Sequence, residues 1–217
     1  MKRLLIIGTG GFAREVYWHA QNSIGYGTEF EIKGFLEGTL PVAPEKYSLL
    51  PAKVYENVIN YEVKKDDVFV IALANSQVKN EIANIITEKG GHFINLIHKT
   101  ALVAPNAILG EDLILCPYTF ITCDTTVGNH IILNIYSSIG HDSIVGDYTS
   151  IMCYVGIAGN VKVGTCNFWG DGSIAIPGSR IGDNVTVGAG AVILKKIEDN
   201  QTVVGIPARE VHKNKVV

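Results

Sequence analysis

From residue 97 onward an apolar residue recurs at every sixth position: Ile97, Val103, Leu109, Leu115, Ile121, Val127, Leu133, Ile139, Val145, Ile151, Ile157, Val163, Trp169, Ala175, Ile181, Val187 and Ile193. Fifteen of these seventeen are Val, Ile or Leu in a chain that is 47% hydrophobic, so chance gives such a run on the order of once in a hundred thousand sequences. Glycine often follows, as at Gly110, Gly128, Gly146 and Gly164, and small or β-branched residues recur four positions on, as at Thr119, Ser137, Ser143 and Thr149. Period six fits neither a helix nor a two-sided strand. A β-sandwich would show irregular spacing and longer loops. The pattern predicts a hexapeptide β-helix, in which short strands wrap a prism, each aliphatic residue points into its core and three hexads make one coil. Residues 18 apart then stack one strand spacing apart, about 4.8 Å.

The first 96 residues follow a different rhythm. Leu4-Leu5-Ile6-Ile7 reads as a strand, GTGGFA (Gly8 to Ala13) as a glycine turn, and the stretch through Ala20 as a helix. A second strand, Phe30 to Gly38, carries Glu37 near its end. A third, Val68 to Leu73, runs into Ala74-Asn75 and a helix over Gln77 to Lys89, and a fourth lies around Phe93 to Leu96. Strand, glycine turn and helix in that order let backbone N–H groups approach a phosphate. A full dinucleotide domain needs two βαβαβ halves, and this segment has room for one, which disfavours NAD and leaves a nucleotide or nucleotide sugar. The glycines could also serve only to shape a tight turn. The expected architecture is an α/β half-Rossmann domain over residues 1–96 followed by an all-β parallel helix over residues 97–217.

Charge narrows the partners. With 18 Lys+Arg against 21 Asp+Glu, spread without long runs, the net charge is −3, which offers no basic surface for nucleic acid and no membrane patch. The apolar run after MKR is too short for a signal peptide, and no segment reaches transmembrane length. Cys116, Cys123, Cys153 and Cys166 have neither CxxC nor zinc-site spacing, so reduced thiols in a cytoplasmic protein, with no metal, are expected.

Within SSIGHDSIVGDYTSI (137–151), His141 comes two residues after the inward-pointing Ile139, near a corner of the prism and facing outward, with Asp142 beside it. Stacking by 18 puts Gly159 over it and Cys123 beneath it. Histidine suits proton removal near neutral pH, and a neighbouring carboxylate that folds back holds its tautomer and stabilises the imidazolium. A Cys-His dyad and a merely solvated His-Asp turn remain alternatives. His19, His92, His98, His130 and His212 lack such a setting and read as surface or packing residues.

The hexads and the terminal VVGIPAREV (203–211) resemble the bacterial hexapeptide-repeat acyltransferases, which implies a left-handed prism, an acyl-CoA donor and a homotrimer with CoA between subunits. IIGTGGFA, NLIHKTALVAPNAI and SSIGHD extend the resemblance to the nucleotide-amino-sugar N-acetyltransferases and sialic acid O-acetyltransferases. That branch implies His141 as general base, Asp142 as the group that orients it, and acetyl-CoA contacts at Ser150, Gly159, Asp171 and Ala189. It also implies that Gly8, Gly10, Gly11, Phe12, Glu37, Ala74 and Asn75 line a nucleotide-sugar acceptor site. The chain departs from the branch at Phe12 and Ser150, where relatives can carry histidine, and at Gly38, where a second acidic residue can stand. Acetyl transfer to the amino group of a nucleotide-linked sugar is the expected activity. Transfer to a sugar hydroxyl, or a non-catalytic β-helical scaffold, are the alternatives.

Overall fold

A computed structural model of the chain describes residues 1–39 and 44–211. His212 and the end of the expected second domain, to residue 217, lie outside the described residues. The amino-terminal unit runs β1 (Lys2–Ile7), α1 (Gly11–Gln21), β2 (Phe30–Glu37), a 3-10 helix (Pro44–Leu49), β3 (Val54–Asn57), β4 (Asp67–Ile71), α2 (Ser76–Glu88) and β5 (His92–Phe93). Its five strands pair in the order β3-β2-β1-β4-β5, all parallel. β1 and β4 are apolar throughout their centres because helices and the neighbouring domain cover both faces. β3 was not expected from the pattern. It is a four-residue edge strand with no fully buried position, so it lacks the continuous apolar run that marks β1 and β4.

From Leu96 the chain winds into the prism, a left-handed parallel β-helix of two-residue strands. The first face stacks Leu96–Ile97, Ile114–Leu115, Ile132–Leu133, Ser150–Ile151, Phe168–Trp169, Thr186–Val187 and Thr202–Val204, with Arg209–Glu210 added antiparallel at its end. The second face runs from Leu102–Val103 to Val192–Ile193 and the third from Ile108–Leu109 to Lys196–Ile197. Partners differ by 18 residues, as in Ser138↔Gly156 and Ile144↔Lys162. The second residue of each strand points inward, and those from Leu115 to Ile193 are nearly all under 5% exposed. Each such side chain contributes roughly 1.5–3 kcal/mol of burial. The period breaks after Ile193: the next inward residue is Ile197, and Arg180 pairs with Lys196 sixteen positions on. Three edges join the faces, and most turns place one residue in the left-handed region, among them Asp112, His130, Asp142 and Tyr148 with φ between +55° and +59°.

The amino-terminal unit docks on the first face. Leu96, Ile114 and Ile132, whose side chains point out of the prism, are each only 1% exposed and pack in one cluster with Leu4, Ile6, Ala13 and Val16. Equivalent outward residues elsewhere stay open, Leu102 at 61% on the second face and Ile108 at 65% on the third. Chain continuity reinforces the contact: Lys99 N–H donates to Asn22 O and Ile24 N–H to Ile97 O.

Among the described residues no helix is long and apolar enough to cross a membrane, and all four cysteines are free thiols.

His19, on the buried side of α1, is 4% exposed, and neither ring nitrogen has a hydrogen-bond partner. Burial, helped by His98, depresses its pKa to about 4. A base whose folded pKa lies below its unfolded value favours folding fully above pH 6.5 and loses that contribution as pH falls toward 4. His19→Phe is therefore expected to flatten the loss of stability between pH 6.5 and 4, measured by urea unfolding at several pH values.

Candidate functional site

His141 sits on the edge between the second and third faces, in the turn after Ser138–Ile139. Asp142 has φ +58°, and this left-handed turn carries its carboxylate back to the preceding ring: Asp142 Oδ2 lies 2.7 Å from His141 Nδ1. Asp142 N–H donates to Cys123 O, and Asn160 N–H donates to His141 O, so the pair is pinned to the coils below and above. Both side chains are more than 60% exposed. A Cβ built on Gly159 would stand 2.5 Å from His141 Nε2 and 2.6 Å from Cε1. The Nε2 side of the ring therefore lies against the glycine, with Nδ1 toward the carboxylate, in space that a larger residue at 159 would fill. This arrangement can take a proton at Nε2 while Asp142 steadies the resulting cation.

The glycine turn forms a second concavity at the carboxyl ends of β1, β2 and β4. A cleft of about 350 Å³ is lined by Gly8, Thr9, Gly10, Gly38, Thr39, Leu73, Ala74, Asn75 and Val78. Gly8 has φ +127°, and a Cβ there would come within 3.0 Å of Ala72 O. Gly10 caps α1 without any side-chain hydrogen bond, and a Cβ on it would meet only open space. The first turn of α1 thus presents backbone N–H groups with no acidic side chain to neutralise them, a setting suited to a phosphate. Thr9 Oγ1, in the same lining, is buried without a hydrogen-bond partner. Asn75 Oδ1 accepts Val78 N–H and caps α2.

The structure brings four of the expected acceptor residues together in this cleft: Gly8, Gly10, Ala74 and Asn75. Gly11 and Phe12 are outside the lining, and Phe12 packs half-buried into the interdomain cluster. Glu37 closes β2, one residue before Gly38 on the rim.

The expected acetyl-CoA contacts fall on different surfaces. Gly159 stands with His141. Asp171 and Ala189 are exposed on the edge between the first and second faces, where Asp171 Oδ1 accepts Cys153 N–H. Ser150 points out of the first face under the docked domain and is 0% exposed; its hydroxyl donates to Ala74 O at 2.8 Å and receives Lys79 Nζ at 2.9 Å. Its hydroxyl is thus committed inside the protein, away from the exposed positions of Asp171 and Ala189.

A second His-Asp pair escaped the reading of the sequence. His130 Nδ1 lies 2.9 Å from Asp112 Oδ2 on the third edge, almost fully buried, with the Tyr148 ring stacked on His130 at 4.8 Å. His130 follows Asp112 by 18 residues, so the stacking rule applied to that edge would have found it.

The family described as "PglD N-terminal domain" matches residues 3–86. The acetyltransferase domain of PglB from Neisseria gonorrhoeae FA1090 superposes with a TM-score of 0.85 at 25% identity over 97% of this chain and 100% of that one. The same domain in complex with acetyl coenzyme A gives 0.84 at 26%, over 97% and 99%. PerB from Caulobacter crescentus, in complex with CoA and GDP-perosamine, shares the fold at 0.85 and 24%, over 98% of each chain.

Substitution Gly159→Ala tests the packing of the dyad. The added methyl collides with an exposed ring that is free to swing, so the melting temperature should stay within about 2 °C of the parent. A crystal structure of the variant should show His141 rotated away and the 2.7 Å contact with Asp142 lost.

Proposed function

We propose that this chain, whose fold matches that of the acetyltransferase domain of PglB and whose amino-terminal residues match the PglD N-terminal domain, transfers the acetyl group of acetyl-CoA to the amino group of a nucleotide-linked sugar. The observation that carries this reading is the His141–Asp142 pair lying against Gly159. The acceptor's nucleotide occupies the glycine cleft, its phosphates at the amino end of α1. The amine attacks the thioester carbonyl as His141 Nε2 takes its proton, and Asp142 stabilises the imidazolium. The Gly159 N–H is the donor we assign to the oxyanion. Collapse breaks the C–S bond, and the proton returns from His141 to the departing CoA thiolate. Among the described residues no cluster of His, Cys, Asp and Glu could hold a metal, and none of these steps calls for one.

We further infer that the site is shared between copies of the chain in a trimer. The amino-terminal unit covers the first face, whereas His141 stands on the edge opposite that face. A prism therefore separates each cleft from its own His141. Asp171 and Ala189 sit on yet another edge, so CoA meets them together with Gly159 only between two prisms. The second face and the first edge suit such an interface: Leu102, Phe120 and Ile174 are exposed, and Tyr118, Tyr136 and Tyr154 stack at 5.1 Å spacings in the open. Four free thiols fit a reducing, cytoplasmic setting.

His141→Ala is expected to lower kcat by roughly 10²–10⁴ while leaving acetyl-CoA affinity nearly intact, followed by CoA-thiol release with a panel of nucleotide amino sugars. Activity within threefold of the parent would remove His141 from the mechanism.

Complementation tests the shared site. Gly10→Val obstructs the cleft but leaves His141 in place. Co-expressed in equal amounts with His141→Ala, it should restore about a quarter of parental activity, since one site in four pairs an intact histidine with an intact cleft from another chain. Inactive mixed assemblies, or a fully active monomer by sedimentation, would refute the shared site.

A further inference from the structure

The loop that links β4 to α2, residues 72–75, forms one wall of the glycine cleft through Leu73, Ala74 and Asn75. It belongs to the amino-terminal unit, where Ala72 N–H donates to Ile7 O, and it is also tied to the prism. Just before it, Ile71 N–H donates to Asp112 Oδ1 at 3.0 Å. Within it, Ala74 O accepts the Ser150 hydroxyl at 2.8 Å. Just after it, Lys79 on the first turns of α2 sends its ammonium into the prism, 2.8 Å from His130 O, 2.9 Å from Ser150 Oγ and 3.4 Å from Thr149 O. Lys79 and Ser150 are 0% exposed and Asp112 is 2% exposed. Asp112 is itself steadied by His130 Nδ1 at 2.9 Å.

A buried lysine and a buried carboxylate are costly. Burial brings the Lys79 pKa down to about 7, with Asp112 opposing the fall, and pushes that of Asp112 up. Three aliphatic residues would join two domains without that expense, as Ile114 and Ile132 already do on the same face. What hydrogen bonds add over apolar packing is direction. They fix which way a carbonyl and an N–H point, and here they fix both ends of a cleft-forming loop.

We propose that Ser150, Lys79 and Asp112 are positioning residues for the acceptor: they set the 72–75 loop against the prism, so that the nucleotide cleft takes its binding shape only on the docked domain. The proposal rests on the acceptor reading of the glycine cleft. It assigns Ser150 to the acceptor side of the reaction and removes it from the donor side. Loss of the Ser150 hydroxyl leaves Ala74 O without its donor and Lys79 with one acceptor fewer, and the loop is free to turn. Loss of the Lys79 ammonium, at equal side-chain length, frees α2 and its cap at Asn75 in the same way. Neither change reaches His141 or Gly159, which stand on the opposite edge.

The test measures binding to the full-length protein by calorimetry, with UDP, GDP and dTDP as nucleotide probes and CoA as the donor probe. Ser150→Ala and Lys79→Met should each weaken the diphosphate that the parent binds best by tenfold or more, leaving CoA affinity within twofold and a cooperative thermal transition. In turnover, KM for the acceptor should rise while KM for acetyl-CoA stays. Weakened CoA binding with unchanged diphosphate binding would return Ser150 to the donor site and overturn the proposal. Unchanged affinity for both ligands would overturn it too, as would equal weakening of both along with a lower melting temperature, the mark of a merely structural network. If the parent itself binds CoA but none of the three diphosphates, the acceptor reading falls and this proposal with it. Retained diphosphate binding in the variants sinks the proposal alone.

Discussion

Eighteen-residue stacking governs this molecule. Three two-residue strands and three tight turns close one coil, and each coil hydrogen-bonds to the next through parallel ladders such as Ile132↔Ser150 and Phe120↔Ser138. The inward residue of every strand enters a column made mostly of Val, Ile and Leu, so an inserted or deleted residue would turn the aliphatic position outward along the rest of the stack. The one departure, the four-residue step from Ile193 to Ile197, comes in the last coil, where little lies above it to be displaced. A column so constrained converts sequence position into height and edge. Residues that are distant in the chain become vertical neighbours, and their chemistry is set by what stands 18 before and 18 after.

That conversion explains both His-Asp pairs. His141 and Asp142 are adjacent in sequence and meet because the turn forces Asp142 into the left-handed region, which folds its side chain back along the edge. His130 and Asp112 are 18 apart and meet by stacking. Environment separates their roles. The first pair is open to solvent beside a glycine that leaves room for its ring. The second is enclosed by Phe93, Tyr148 and the docked domain, where no substrate reaches it, and it serves to hold Ile71 and the chain after it.

Docking on one face also distributes function around the prism. The first face is covered by the amino-terminal unit, its polar contacts converging on the loop that walls the glycine cleft. The edge opposite carries the dyad. A rigid column lacks a hinge that would bring these surfaces together within one chain, which is why the proposed reaction calls for neighbouring prisms. The exposed tyrosine ladder and the apolar residues of the second face lie where a neighbour would cover them.

The sequence by itself determined the prism, the phase of its core and the placing of His141 beneath Gly159, because a repeat of fixed length makes every contact within it a local matter of counting. It also determined β1, α1, β2, β4 and α2, whose apolar runs and glycine or asparagine starts are local signals. β3 escaped because a short edge strand buries too little to leave a pattern. The burial of Ser150 was not legible because the repeat says that its side chain points out of the prism, and nothing in the repeat says what covers that face. Tertiary structure alone decided which face the amino-terminal unit occupies. With that it decided that Lys79 on α2 is buried against Ser150, and that cleft and dyad lie on opposite sides. Docking depends on the summed shape and hydrogen bonding of two surfaces far apart in the chain, and no periodicity records it.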